Sequence, residues 1–591
     1  MTIYKAPLRD FRFVLHEVLE AEAELKVLRG CEEVSGALID RVLEEAARLA
    51  ESELFPLNRS GDEEGCTLVD GAVSTPKGFK EAFRRYAEGG WCGLAGDPAF
   101  GGQGLPQILA VPVIEIMGSA NLSFSDYTIL VSMAAETIGA HATDELKVLY
   151  LPRLLAGEWA ATMCMTEPHC GTDVGLLKTR AEPADDGTYR VTGTKIFISG
   201  GDHDLTPNIA HLVLARLAGA PAGTRGISLF LVPKVIPRAD GSLGERNTVF
   251  PVGIEHKMGY AASATCTMSF EGARAWLVGE PNRGLAAMFT MVNSARLAVG
   301  LQGLSLAEVA YQSASAYARE RVQGRSAAGP AYPERAADPL VVHADVRRML
   351  LSTRAFTEGA RAIALWLALA IDRSTRHPDA EAREEASDLV SLLTPVVKAG
   401  FSDLGFESCN LAMQVFGGHG YIRANGMEQL VRDVRIAQIQ EGANGIQALD
   451  LLGRKMRQNE GRAFDRMVRM VERFLIRHRG EKAMAPFVMP LSIALARLAE
   501  LVDWVRMERD PHAIGAAGVD AMRVFTLTLF AWMWARIAEV AMARAGTDPF
   551  YAGKLALAHY FMERMLPMAE GHAGVARAGS ATLFSLTDAE I

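Results

Sequence analysis

The feature that most limits what this chain can fold into is a change of hydrophobic rhythm near residue 161. Before it, apolar residues recur at helical spacing, as in Ile39, Val42, Leu43 and Ala46 and again from Ile129 to His141. After it come short β-prone runs punctuated by Gly and Pro: Thr188 to Val191, Lys195 to Ile198, Ala210 to Leu214, Ile227 to Val232 and Thr265 to Phe270. Helical periodicity returns from Arg283, in Met288 to Ala318, Val346 to Ile371, Asp388 to Val415 and Gly445 to Met456. A last helical block runs from about Arg462 to Leu583, behind the breakers Pro486 and Pro490. This order predicts an α+β protein in four parts: residues 1–160 an N-terminal helical domain, 161–282 a small β-barrel domain, 283–458 a helical bundle and 462–591 an appended C-terminal helical domain. The 591 residues exceed what one core usually organises, which agrees with several parts.

Bulk properties exclude several function classes. Lys and Arg (61) are scattered among Asp and Glu (70), giving a net charge of -9 with no basic stripe, so nucleic acid is not an expected partner. Seven cysteines without a CxxC pair describe no disulfide framework, and Cys164 and Cys170 flank His169 without a second ligand pair, so no metal is expected. The first ten residues lack the apolar run of a secretory signal, which predicts a cytoplasmic location. The stretch Val524 to Ala535 is shorter than a membrane span and reads as a buried helix, so no integral membrane segment is expected.

Three segments carry the chemistry. Met163 to Gly175 follows a short apolar strand and is rich in small and hydroxyl residues, a loop able to bring backbone amides to a ligand; alone it reads equally as a glycine-bearing turn capped by Asp173. Gln414 to Tyr421 brings a helix end against Gly417, Gly418 and Gly420, allowing close approach of a flat ligand or its phosphates. In Val431 to Gln447, Glu441 stands between an apolar stretch and Gly442. The cluster Gly101-Gly102-Gln103-Gly104 reads as a sharp connection before it reads as a phosphate loop.

Taken together, these segments resemble the acyl-CoA dehydrogenase family along roughly residues 30 to 455, in the family's order. Thr166-Glu167-Pro168-His169-Cys170-Gly171-Thr172-Asp173 is similar to the family's T-E-P-x-x-G-[ST]-D, and Lys195 to Gly200 to its K-x-W-I-T-N. The resemblance implies FAD as cofactor, with contacts from Met165, Thr166, Gly171, Thr172, Phe197, Ser199, Arg321, Gln323, Gln414, Gly417, Gly418 and Asn444. It implies an acyl-CoA substrate held by Thr172, Asn293, Arg296 and Gly442, the arginines answering phosphate charge. Glu441, at the glutamate of the family's Y-E-G-T motif, is implied to be the base that removes the α-proton while the β-hydride passes to flavin. A free glutamate near pKa 4.3 is a poor match for a carbon acid, so burial against flavin and acyl chain is expected to raise it.

The pattern departs at His169-Cys170, at Gly324 in place of an aromatic residue, and at Ala443 in place of threonine. The opening residues and C-terminal helices resemble a longer subgroup that includes 3-methylmercaptopropionyl-CoA and related fatty acyl-CoA enzymes. From the resemblance follow a homodimer and an electron-transferring flavoprotein as electron acceptor. Two other readings stay open at this point: an acyl-CoA oxidase using O2, and a noncatalytic helical protein that binds CoA esters. His343 reads either as a residue near the flavin of a partner subunit or as a plain surface histidine.

Overall fold

The computed structural model describes residues 2–591 and divides into two compact units. One unit, Glu45–Pro106 with Ile116–Ala298, contains every strand. The other, the N-terminal segment to Glu44 with Gln107–Glu115 and Val299–Ile591, is helical.

In the first unit, strands β1 (Thr67–Val69) and β2 (Ala72–Ser74) form a hairpin inside a region expected to be helical. Its turn is Asp70-Gly71, both left-handed (φ 50° and 75°), the geometry that suits a two-residue hairpin. The remaining strands are β3 (Ala160–Cys164), β4 (Arg180–Pro183), β5 (Tyr189–Ser199), β6 (Ile209–Leu217), β7 (Ile227–Pro233), β8 (Val235–Pro237), β9 (Leu243–Arg246), β10 (Val249–Ile254) and β11 (Thr265–Val278). Their pairing runs β11, β5, β4, β6, β7 and back to β11, so the ring closes as the barrel expected; β3 is added parallel on β6 and β10 antiparallel on β11. Closure leaves no free edge around the ring. Its inside is filled by Val191, Val213, Phe230, Val249, Phe270 and their neighbours, and every residue of β7 is buried. Helix α1 (Leu122–His141) belongs to this unit. The glycine cluster makes a tight connection: a Cβ on Gly102 would fall 2.2 Å from the Gly96 backbone, so glycine is needed there for backbone contact.

Helix α2 (Gly284–Glu320) begins in this unit and ends in the helical one. The helical unit continues with α3 (Ala344–Arg376), α4 (Ala380–Phe416), the short α5 (Asn444–Leu449), α6 (Arg462–Arg477), α7 (Ala485–Met507), α8 (Pro511–Met542) and α9 (Pro549–Tyr560). Val524 to Ala535 lies within α8, and most of it is buried. By length and composition alone, four helices are long and apolar enough to cross a membrane; in three of them, α2, α8 and the one built on α4, most of the apolar window is packed inside the protein, whereas α7 has 39% of it covered.

At the centre of the helical unit lies a buried charge network. The Arg361 guanidinium donates to Glu115 (2.6 and 2.8 Å), Glu308 (2.8 Å) and Asp10; Lys554 of α9 donates to Glu358 (2.6 Å) and Asp10. Burial pushes the Glu115 carboxyl up to about 7 against the pull of Arg361. Losing one partner of such a network costs about 3–5 kcal/mol, because an uncompensated charge stays buried.

Candidate active site

In the β-containing unit the loop after β3 is built around Glu167. Its carboxylate, 3% exposed, accepts from the Lys178 amide (2.7 Å), the Thr179 amide (3.0 Å) and Lys195 Nζ (2.9 Å). Burial would raise this carboxyl, but Lys195 and the amides outweigh it and hold it below the usual range. Lys195 also donates to the Met165 carbonyl at 2.9 Å, and the Ile196 amide donates to the Thr166 carbonyl at 3.0 Å. Met165 and Thr166 are therefore brought beside Phe197 and Ser199 on β5. Within the same loop, Glu167 and Cys170 exchange both backbone hydrogen bonds across Pro168-His169, and Gly171 and Thr172 stand exposed beyond them.

Phe197 has a left-handed backbone (φ 59°) where the β5–β11 register shifts, and its ring is 60% exposed. For a bulky residue this conformation costs about 1–3 kcal/mol and persists only where surrounding structure imposes it, often at functional sites. Ser199 follows at the end of the strand. Its hydroxyl and those of Tyr260 and Ser263 hydrogen-bond to Asp126 of α1, whose carboxyl is raised by burial. On α2, Asn293 is exposed and Arg296 half-buried; three positions apart, they share a face, and the Arg296 guanidinium lies 5.8 Å over the Phe289 ring.

In the helical unit, Gln414 is exposed on the last turn of α4, and Gly417 (φ 58°) turns the chain. Tyr317 stacks on Phe416 (centroids 4.1 Å apart, planes at 13°) and hydrogen-bonds His419 Nδ1 at 2.8 Å. These contacts bring the end of α2, with Arg321 and Gln323 exposed just beyond it, to the glycine turn. The strap that follows α2 is fixed by Asp338, which accepts from the amides of Ser326 (2.9 Å), Ala331 (3.1 Å) and Tyr332 (2.8 Å); these amides hold its carboxyl at about 2. His343 bonds the Gln323 carbonyl at 2.8 Å, a local role in this strap.

Glu441 is half-buried in a turn and left-handed (φ 53°). Three residues before it, Gln438 Nε2 donates to Asp403 Oδ1 at 2.6 Å; three after it, Asn444 Nδ2 donates to the same oxygen at 2.6 Å. Gln447 Nε2 bonds the carbonyls of Gly442 (3.1 Å) and Glu441 (3.3 Å). A Cβ on Gly442 (φ 87°) would fall 2.6 Å from that Gln447 nitrogen, so only glycine fits. The Asn444 carboxamide, expected to address a cofactor, is instead engaged inward: besides Asp403 it meets Lys398 Nζ (2.9 Å) and Ser402 Oγ (3.0 Å). Asp403, Gln447 and Lys398 escaped the sequence reading. Gln447 sits in the quoted motif six residues after Glu441, where a carboxamide reaching back to a left-handed turn is a usable signal.

The residues present fit a flat flavin. A Cβ on Gly171, Gly417 or Gly418 would meet nothing within 4 Å, and the exposed Phe197 ring offers an aromatic surface.

Comparison with known proteins covers almost the whole chain. The description "Acyl-CoA dehydrogenase, N-terminal domain" matches residues 40–158, "Acyl-CoA dehydrogenase, middle domain" 162–273, "Acyl-CoA dehydrogenase, C-terminal domain" 282–456 and "Acetyl-CoA dehydrogenase C-terminal like" 464–587. A 3-methylmercaptopropionyl-CoA dehydrogenase of Ruegeria pomeroyi is 39% identical over 575 residues, 95% of this chain and 96% of that one. A butyryl-CoA dehydrogenase of Syntrophomonas wolfei is 31% identical, covering 95% of each chain. Among solved structures, Caenorhabditis elegans ACDH-11 in complex with C11-CoA shares the fold with a TM-score of 0.78 at 19% identity, covering 95% of this chain and 92% of that one. The four consecutive matches and the 39% identity over nearly full length place the chain: it belongs to the acyl-CoA dehydrogenase family.

Proposed function

We propose that the protein is a FAD-dependent dehydrogenase that converts an acyl-CoA to its trans-2-enoyl-CoA, with Glu441 as the base. The observation that carries this reading is the Glu441 turn: a half-buried carboxylate in a left-handed backbone, held from both sides by one carboxylate oxygen and backed by a glycine that no other residue can replace. Backbone strain that is over-determined by its surroundings marks sites where a group must be presented in one way.

Glu441 removes the proton from the carbon next to the thioester carbonyl. Its backbone amide donates to that carbonyl and stabilises the charge that develops as the proton leaves. Gly442 keeps the adjoining backbone open to substrate, while Thr172, Asn293 and Arg296 hold the CoA portion, Arg296 by its charge. Bound FAD supplies the acceptor for the β-hydride. Thr166, Phe197 and Ser199 orient it from the β-containing unit; Arg321, Gln323, Gln414, Gly417 and Gly418 are assigned to its phosphates and edges, the first two serving a neighbouring subunit's cofactor in a homodimer.

The acyl group is assigned to the short, straight or thioether-bearing class, on the names of the relatives matched over full length. A cytoplasmic location, a place in fatty acyl-CoA breakdown and an electron-transferring flavoprotein as acceptor complete the reading. Anaerobic titration with 3-methylthiopropionyl-CoA and with straight acyl-CoAs of graded length tests it: bleaching of the flavin band by at least one ester is expected. Failure of every ester to bleach bound flavin overturns it, and peroxide formed in step with turnover makes the protein an oxidase instead. Glu441→Gln is expected to keep the yellow cofactor and lose turnover by several powers of ten.

A further inference from the structure

The clamp on the Glu441 turn does not end at Asp403. Asp403 lies on α4, and its Oδ1 joins residues 438 and 444, closing a seven-residue loop with Glu441 at the midpoint. Its second oxygen, Oδ2, faces Arg523 Nη2 of α8 at 3.7 Å. The same nitrogen pairs with Glu407 one helical turn along α4, and the Arg523 side chain is 18% exposed. Packing reinforces this route. A Cβ on Gly400 of α4 would sit 2.6 Å from Thr526, one turn after Arg523, and a Cβ on Gly518 of α8 would touch Ala448 of α5 at 3.4 Å. Helix α8 thus packs at glycine distance against the helix that carries the clamp, and against the helix that begins three residues after the base.

Helix α8 belongs to the appended C-terminal part, which matches a separate description from the catalytic bundle. We infer that this appended part is a working support of the active site, with Arg523 and Asp403 as positioning residues: Arg523 fixes the carboxylate that holds both ends of the Glu441 turn. The physical basis is economy of acceptors. Gln438 and Asn444 both donate to one oxygen, so that carboxylate must stay ionised and in one rotamer; a cation on its other oxygen secures both conditions. With Arg523 removed, Asp403 is free to rotate and the two arms of the loop lose their common anchor. A displacement of the base by about 1 Å lowers turnover by up to about 10²-fold.

This inference rests on Glu441 as the base, and one of its two readouts does not depend on that assignment. In full-length, flavin-loaded protein, Arg523→Met is expected to raise amide hydrogen exchange of residues 436–447 severalfold. It should lower kcat about tenfold with KM changed less than about twofold, because an aligned base acts in the transition state and not in ground-state binding. Arg523→Lys should recover part of both losses, and Asp403→Asn, which keeps the shape, should reproduce them if Arg523→Met proves too unstable to load flavin. Glu407→Gln removes the other partner of Arg523 without touching the clamp and is expected to behave as the parent. Unchanged exchange in 436–447 for both Arg523→Met and Asp403→Asn overturns the inference, as does an equal loss in Glu407→Gln. Undiminished turnover in Glu441→Gln with raised exchange in Arg523→Met would instead leave the clamp standing and remove the assignment of the base.

Discussion

Two loops carry residues assigned to the active site, and a carboxylate organises each, but the two anchors differ in kind. Glu167 is sealed in the β-containing unit against Lys195, with side chains 3% and 0% exposed, and the pair makes its own local fold. Asp403 is 13% exposed, holds its loop through two neutral amides, and meets its cation at 3.7 Å on a helix from the appended part. A buried ion pair fixes a loop rigidly and fails at high cost; an amide clamp with a distant cation is weaker and open to adjustment. The flavin-side loop is therefore a fixed wall, and the base sits on the adjustable one.

Breaking the rigid anchor should have the largest effect. Lys195→Met leaves Glu167 buried without its charge partner and is expected to cost about 3–5 kcal/mol, read as a fall in denaturation midpoint. Lys195→Met with Glu167→Gln should recover part of that cost. A denaturation midpoint unchanged in the single variant would erase the contrast between the anchors.

Next in size, Gly442→Ala places a Cβ against Gln447 in a left-handed backbone, and about 1 kcal/mol or more of stability should be lost with a disproportionate fall in kcat. Chemical denaturation alongside single-turnover kinetics separates the two.

A smaller effect is set by pH. Glu167 titrates below its unfolded value of about 4.3, so the unfolded chain takes up protons first and stability falls as pH drops through that value. The wild-type denaturation midpoint measured from pH 6 to pH 3.5 should fall more steeply than that of Glu167→Gln, and parallel curves would remove Glu167 from the account. The smallest change in stability belongs to Arg523→Met, under about 1 kcal/mol by equilibrium unfolding, since its pairing with Asp403 is long and partly solvated.

Much of this was legible in the sequence because periodicity and motif spacing are local. The runs at Lys195 to Ile198 and Ile227 to Val232 became β5 and β7, and the helical runs became α2, α3 and α4. The β1–β2 hairpin was missed although Asp70-Gly71 between short alternating runs is a hairpin signal; three-residue strands inside a helical stretch give periodicity nothing to count. Glu441 was legible through its motif, whereas Asp403 was not. Asp403 lies 35 residues from Gln438 and 41 from Asn444, in a helix whose pattern reports only a buried face. The left-handed backbone at Phe197 also leaves no trace in sequence, since it arises from a shift in pairing between two strands.

The charge network around Arg361 has a consequence for biogenesis. Asp10 and Lys554 are joined across 544 intervening positions, and both meet partners that are themselves buried. During synthesis from the amino terminus, Asp10, Glu115, Glu308 and Arg361 all emerge well before Lys554, so this centre holds a surplus of acid until the last helices leave the ribosome. The helical unit therefore matures late, as one event. A chain stopped before residue 554 would expose a half-neutralised core to quality control, which makes the C-terminal segment a checkpoint for complete synthesis.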